Sequence, residues 1–458
     1  LGVLRHVWNT LEPAGVPCAL MGGIALSVWD HVRATREPLI EGDDGQRFRV
    51  ARRLEDHVVG QISGALLELF ERFGNARMLD ALAQLIARSG QAMRERFRAL
   101  VPNGSYSFTD IVDSDGQGHG PIHLRYRLDV TPATITLDTT RSDDQMPGPV
   151  NFLMAKEVPC MVFGAYLLGG QNEHLLNQGA LTVIDEVKLR LGSVLQPKFP
   201  APLGLRGVTL MRNVAACLGL INVATQGQAP AAHSAYVIWY IRGRKEDGSL
   251  FLMTDGVGVG YGARPICDGI DAVYLIAQEN YPAEFLDAVY PVRLKRYAIN
   301  RDTGGPGRWR GGCGIIREIE VLAPEAMISV RIDTVENPPW GVAGGKSAGS
   351  GRAVINPGRP DERVVPPISD SHIVKRGDIV RIETGGGGGW GDPFAREPAR
   401  VLTDIRGGFV SREAAEREYG VVVTADGKAI DADATSARRA HHPATKLFHR
   451  KVYADAME

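Results

Sequence analysis

The sequence has 458 residues, 44% hydrophobic and 23% charged, with 52 Lys and Arg against 53 Asp and Glu and a formal net charge of −1 at pH 7. That length holds one large domain or two to three average ones, and the balanced charge gives no reason to expect nucleic acid or a membrane surface as a partner. Cys18, Cys160, Cys217, Cys267 and Cys313 are widely spaced and form no C-x-x-C, which argues against a disulfide framework or zinc ribbon and fits a reducing compartment.

With no basic-then-apolar leader and no apolar run of about 18 residues or more, the expectation is a cytoplasmic protein. Residues 1–44 stand apart from the rest of the chain. Leu20–Arg36, L-M-G-G-I-A-L-S-V-W-D-H-V-R-A-T-R, resembles the opening of a small nucleotidyltransferase fold. There a Gly-Gly helix start helps hold a phosphate and paired aspartates hold magnesium. Glu37-Pro-Leu-Ile-Glu comes next instead, no D-x-D arrives, and Gly22-Gly23 reads as a plain helix-start turn. The junction near Arg36–Asp44 reads as a fusion or rearrangement scar. Residues 45–102 are predicted helical: Leu54, Val58, Ile62, Ala65, Leu66 and Leu69 recur at helical steps. Met78, Leu79, Leu82, Leu85, Ile86, Met93 and Phe97 then form a second apolar face.

Residues 103–425 form the predicted body. Ser105–Thr140 alternates as strands joined by acidic turns. Asp113-Ser-Asp-Gly-Gln-Gly starts like a calcium loop, but Leu124 stands where the twelfth-position glutamate belongs. His119 and His123 are candidate metal ligands, though their four-residue spacing brings rings together on a helix and not on a glycine turn. Lys156–Gly170 is predicted as a buried helix ending at glycines, Gly207–Leu220 as a helix, and Ala235–Ile241 as a buried strand.

Two familiar motifs nearly occur. Gly258-Val-Gly-Tyr-Gly-Ala comes after the strand Leu250–Thr254, yet it runs into Arg264-Pro265 where a dinucleotide site needs a helix. Gly345-Lys-Ser-Ala-Gly satisfies G-x-S-x-G but lacks a strand–elbow–helix pattern, and Trp340 stands where a phosphate loop needs its first glycine. Both read as glycine turns. Tyr290–Ile299, Ile315–Leu322, Ala326–Asp333, Ala353–Asn356 and Asp378–Glu383 read as strands. Between the first two lies Arg301–Arg317, R-D-T-G-G-P-G-R-W-R-G-G-C-G-I-I-R, a long glycine loop that reads in two ways: Arg308 and Arg310 could present a fork to a carboxylate or phosphate, or the loop is a tight one whose arginines pair with neighbouring carboxylates. Gly385–Gly389 is either an anion-binding nest of amides or a crossing point where no side chain fits. Two short helices come after it, with Ser411 as N-cap and Gly420 as C-cap. Residues 426–458, with His441-His442, read as a solvated polar tail. The fold class is α+β: a mixed multi-layer fold, helical first, then β-rich and rich in glycine loops.

Three stretches in register carry a family resemblance. Asp302–Gly314, Tyr261-Gly-Ala-Arg-Pro with Asp268-Gly-Ile-Asp-Ala-Val, and Gly385–Pro393 with Tyr419-Gly-Val-Val-Val resemble signatures of the hydantoinase B/oxoprolinase family. Leu175–Ile184 resembles its N-x-G segment, and Leu191–Pro202 its proline-rich strand. The resemblance spans roughly Gln46–Val423. It implies a B-type subunit that works with a hydantoinase A-type, ATP-binding partner in opening cyclic amides of the hydantoin or 5-oxoproline kind. Alternatives are the α-type subunit of an ATP-dependent ketone carboxylase and a truncated, non-catalytic remnant. It also implies a divalent metal (Mn, Zn or Fe) held by an N-terminal H-x-x-D and a second histidine segment. No H-x-x-D occurs here, so an N-terminally truncated chain with its ligands missing is expected. The candidate reacting or site-shaping residues are Arg264, Asp268, Asp302, Arg308 and Arg310. The candidate substrate-binding or loop positions are Asn177, Gly258, Gly260, Gly262, Gly304, Gly305, Gly311, Gly312, Gly386, Gly387 and Gly388.

Overall fold

The computed structural model describes residues 66–168, 177–235, 237–274, 280–442 and 444–450. They fall into two units, drawn from Leu1–Phe97 with Leu167–Val183 and from Arg98–Tyr166 with Ile184–Glu458. The expected nucleotidyltransferase-like fragment and the helix over Leu54–Ala65 lie outside the described residues.

In the first unit, helix α1 (Asn75–Leu100) carries the predicted apolar face, and its buried part is concentrated late, at Ser89, Gly90, Ala92, Met93 and Phe97. A 3-10 turn, Gln178–Thr182, packs on it backbone to backbone. A Cβ on Gly179 would stand 2.0 Å from the Ile86 carbonyl oxygen, so only glycine fits there. Asn177 closes the contact: its Oδ1 accepts from the Gly179 amide at 2.8 Å, and its Nδ2 donates to Ser89 Oγ at 2.8 Å.

The second unit opens with a four-stranded sheet, β1 (Gly104–Val112), β2 (Ile122–Val130), β3 (Ile135–Asp138) and β4 (Glu186–Lys188) in that order. The first three are antiparallel and β4 joins parallel to β3, after α2 (Glu157–Leu168). Helix α3 (Arg206–Thr225) packs on β1 and β2. Contrary to the expectation that no apolar run reaches about 18 residues, α3 is long and apolar enough to cross a membrane by length and composition, and most of it is buried within the protein, as in a core helix.

Two further sheets form a sandwich. One has the order β13-β9-β5-β6, built from β5 (Val237–Arg244), β6 (Leu250–Val257), β9 (Glu325–Arg331) and β13 (Ile368–Lys375). The other has the order β12-β11-β14-β8-β7, built from β7 (Val292–Ile299), β8 (Ile315–Val321), β11 (Arg352–Ile355), β12 (Arg363–Val365) and β14 (Ile379–Glu383). The inward residues of both, among them Trp239, Met253, Ile319, Ile328 and Ile382, share one core. Strict alternation produces it, since side chains point to opposite faces at a two-residue period; β8 buries every second residue. Helix α4 (Ala283–Val289) leads into β7.

After the sandwich, α5 (Pro398–Arg406) and α6 (Arg412–Tyr419) enclose a small core of Val401, Val410, Ala414, Ala415, Tyr419 and Val421. Ser411 Oγ accepts from the Ala414 amide and Gly420 takes a left-handed conformation, as both caps were predicted. The α+β class is as the sequence implied, with two differences in detail besides α3. Residues 191–202 contain no named strand, because Pro197, Pro200 and Pro202 remove donors a ladder needs. The stretch after Asp426 is not a plain solvated tail: it holds α7 (Ala432–Arg439), and β15 (Phe448–His449) pairs with β10 (Gly341–Val342). Phe448 there packs on Phe108 and Trp340.

Candidate functional site

Four loops leave the same end of the sandwich: the one after β6, the one between β7 and β8, the one around β10, and the glycine run after β14. Their backbones interlock. Gly386, Gly387, Gly388 and Gly389 donate to the carbonyls of Gly349, Gly312, Ala232 and Lys346 at 3.1, 2.9, 2.8 and 2.9 Å. A Cβ on Gly388 would lie 1.9 Å from the Trp340 carbonyl oxygen, and one on Gly311 would lie 1.9 Å from that of Gly387. The run is therefore the crossing point of the two alternatives, and its amides from Gly386 onward are already bonded to backbone carbonyls and not free to cradle an anion. Gly258, Gly260, Gly262, Gly304, Gly305 and Gly312 belong to the same interlocked set, with Gly260 donating to Gly385, Gly305 to Gly387 and Gly312 to Tyr261.

A buried ion network ties this knot to α5. Arg310, 4% exposed, grips Asp271 through two bonds of 2.9 and 3.2 Å and stands 4.8 Å over the Phe409 ring. Arg396, 1% exposed, forks onto Asp268 at 2.6 and 2.9 Å and onto Asp404 at 3.0 and 2.8 Å. Burial works against the charge on Asp268, Asp404, Arg310 and Arg396. For Asp268 the Arg396 bonds and charge outweigh it and hold the carboxyl below its usual range. For Asp404 burial wins and the carboxyl is raised. Arg310 and Arg396 stay firmly charged because their carboxylate partners outweigh burial. Such paired groups resist removal one at a time.

The structure thus separates the predicted residues into two sets. Asp268 and Arg310 are brought together, but as braces: Arg310 is buried, and the partly exposed Asp268 accepts from its amide at 2.7 Å. Asp302 is also a brace: it sits at φ 64° and its Oδ1 accepts from the Ser411 amide at 2.7 Å. Arg264 and Arg308 point outward. Sequence reasoning did not single out Arg396 or Asp404, which look like ordinary surface charges in a polar helical stretch. It also missed Arg212 of α3, fully buried between Asp110 and Asp333 at 3.7 and 3.8 Å, with its Nη2 bonded to the His233 carbonyl at 2.6 Å. Arg212 Nε and Nη1 and one oxygen of each aspartate lack a hydrogen bond there. Burial and neighbouring Asp113 raise Asp333 to about 7, against the pull of Arg212.

Two other candidates resolve clearly. Ser347 Oγ lies 3.2 Å from His449 Nδ1, but the Ser347 amide also donates to that nitrogen at 3.1 Å. The amides of Lys346, Ala348 and Gly349 are spent on backbone carbonyls, which leaves no neighbouring oxyanion donor and keeps the glycine-turn reading. His119 and His123 do not converge: Nδ1 of the first meets Asp115 at 3.0 Å, and Nδ1 of the second meets Asp143 at 3.1 Å. Among the described residues no three His, Cys, Asp or Glu side chains are placed to hold a metal ion, so these residues do not fit the expected divalent metal.

Three of the four interlocked glycine loops that cap the sandwich hold the stretches that carry the resemblance. The chain belongs to the hydantoinase B/oxoprolinase family, whose model matches residues 60–393. It is 28% identical to the putative B subunit of a D-/L-hydantoinase from Pseudomonas sp. (strain NS671), over 95% of this chain and 70% of that protein. It is also 28% identical to the beta subunit of the Pseudomonas jessenii caprolactamase, over 82% of this chain and 66% of that protein. Part of each relative's length therefore has no counterpart here. Among solved structures, the ATP-dependent caprolactamase of Pseudomonas jessenii matches with a TM-score of 0.68 and 23% identity, over 90% of this chain and 72% of that one. Nucleotide-free acetone carboxylase matches with a TM-score of 0.68 and 19% identity, over 83% of this chain and 57% of that one. At those identities the two structures establish the fold alone.

Proposed function

We propose that this chain is the B-type subunit of an enzyme that opens cyclic amides of the hydantoin or 5-oxoproline kind with ATP, together with an A-type partner that binds the nucleotide. The observation that carries this reading is the pair of relatives matched over most of the chain, one from a hydantoinase and one from a caprolactamase, each named for a cyclic amide. The acetone carboxylase likeness supports the fold and adds no argument about substrate.

Amide resonance makes a ring carbonyl a poor electrophile, and phosphorylating its oxygen removes that protection. ADP leaves in that step. Water then adds at the carbon, the ring C–N bond breaks as nitrogen takes a proton, and a second water hydrolyses the acyl phosphate to carboxylate and phosphate. This chain would contribute a stiff platform, since rigid elements hold a site's geometry better than free loops. The test is co-expression with an A-type subunit and chromatographic measurement of hydantoin, 5-oxoproline and caprolactam consumption. ATP-dependent loss of one of these rings supports the proposal. Turnover that requires a ketone and bicarbonate would assign the carboxylase reaction instead, and no ATP-dependent turnover of either kind would leave a non-catalytic remnant.

A further inference from the structure

We propose that the surface around Trp309, formed by Arg264, Ile266, Arg308 and Arg400, docks an acidic segment of the partner subunit; this rests on the partner named in the proposed function. The indole is fixed where it stands. Its Nε1 donates to the Pro265 carbonyl at 2.9 Å, which joins the tip of the loop after β6 to the tip of the loop between β7 and β8. The Arg400 guanidinium lies 5.0 Å over the ring. Arg264 and Arg308 flank this contact on the two loops, both are exposed, and neither side chain has a hydrogen bond or ion pair among the described residues. Ile266 beside them is 79% exposed.

The main chain beneath is held while the side chains stay free. Arg396 donates to the Arg308 carbonyl at 3.0 Å, and the Arg264 amide bonds the Cys267 carbonyl at 3.0 Å. The nearby carboxylates are already engaged: Asp268, Asp271 and Asp404 bind the buried Arg310 and Arg396. Among the described residues Arg400 has one ion pair, with Glu397 at 3.7 Å, and both side chains are more than half exposed. So this corner displays two outward guanidinium groups, those of Arg264 and Arg308, without an ion pair or side-chain hydrogen bond among the described residues, next to an anchored indole and an exposed isoleucine. Tryptophan and arginine dominate protein–protein contacts, and a pre-ordered patch loses less entropy on binding. Complementary carboxylates on a protein segment match it in charge, and its apolar members match a peptide better than a bare anion.

The test uses this chain and an A-type subunit, with association kinetics followed on an immobilised partner at about 50 and 300 mM salt. Wild type is expected to associate more slowly at the higher salt, as steered encounters do. Arg264→Glu/Arg308→Glu is expected to lower the association rate at least about tenfold at low salt and to flatten the salt dependence. Arg264→Lys/Arg308→Lys, which keeps the charge, is expected to restore most of the rate. An unchanged denaturation midpoint for both variants ties these effects to the surface. Wild-type kinetics in the glutamate variant would overturn the inference while leaving the partner reading intact. Failure of the wild-type chain to bind the A-type subunit would overturn both.

Discussion

Gly388→Ala is the sharpest perturbation of the glycine knot. The new methyl would sit 1.9 Å from the Trp340 carbonyl oxygen and 2.6 Å from its carbon, where real Cβ atoms essentially never come closer than 3.0 Å. Relief needs more than an ångström of movement between two backbones, and neither can swing aside as a side chain does. The Gly388 amide bonds Ala232, and Ala263 bonds the Gly388 carbonyl, at 2.8 and 2.9 Å, so movement strains both bonds. Overpacking alone costs about 1–3 kcal/mol, and each weakened hydrogen bond adds about 1 kcal/mol. We expect a loss of roughly 3 kcal/mol or more. Gly248→Ala is the control: its φ of +83° makes alanine strained, but nothing lies within 4 Å, so about 1–2 kcal/mol is expected. Denaturant unfolding of both variants measures the difference. A Gly388→Ala loss no larger than that of Gly248→Ala would refute the interlocked-backbone account.

Other outcomes rest on the buried charges. Arg396→Met removes the nearer partner of Asp404, which keeps Arg310 at 3.5 Å, and the side-chain partner of Asp268, and is expected to destabilise the protein by about 2–3 kcal/mol, read by the unfolding midpoint. Asp333 has a folded pKa raised to about 7 by burial, above its unfolded value, so its contribution is full below the unfolded pKa and is lost as pH rises through about 7. Asp333→Asn should therefore gain stability relative to wild type between pH 5 and pH 8, and a constant difference across that range would contradict the assignment. His119→Ala and His123→Ala each remove one partly exposed pair with an aspartate. Each is expected to cost at most about 1 kcal/mol and to leave metal content by elemental analysis unchanged.

What the sequence showed depended on how local each feature is. Ser411 and Gly420 were legible because a cap is decided within four residues. The alternation in β2 and β8 was legible for the same reason. The glycine run was recognised as special, yet its two meanings could not be separated in sequence. The backbones it crosses come from Tyr261, Thr303, Pro306 and Trp340, far away along the chain. Arg310 read equally as a fork for a ligand or as a partner of a neighbouring carboxylate, and the structure gives it Asp271 of the same chain. Arg396, Asp404 and Arg212 carried no local mark, because only tertiary packing buries them. The last residues were misread for the same reason: Phe448–His449 becomes a strand only by pairing with Gly341–Val342.

The most direct test of the central claim is the ratio of ADP released to ring opened. It would be measured for the complex of this chain with an A-type subunit on hydantoin, 5-oxoproline and caprolactam, with and without bicarbonate. The account predicts that one of these rings opens only when ATP is present, with ADP rising in step with product and no effect of bicarbonate. ADP release uncoupled from ring opening, or product that appears only with bicarbonate and a ketone, would contradict it.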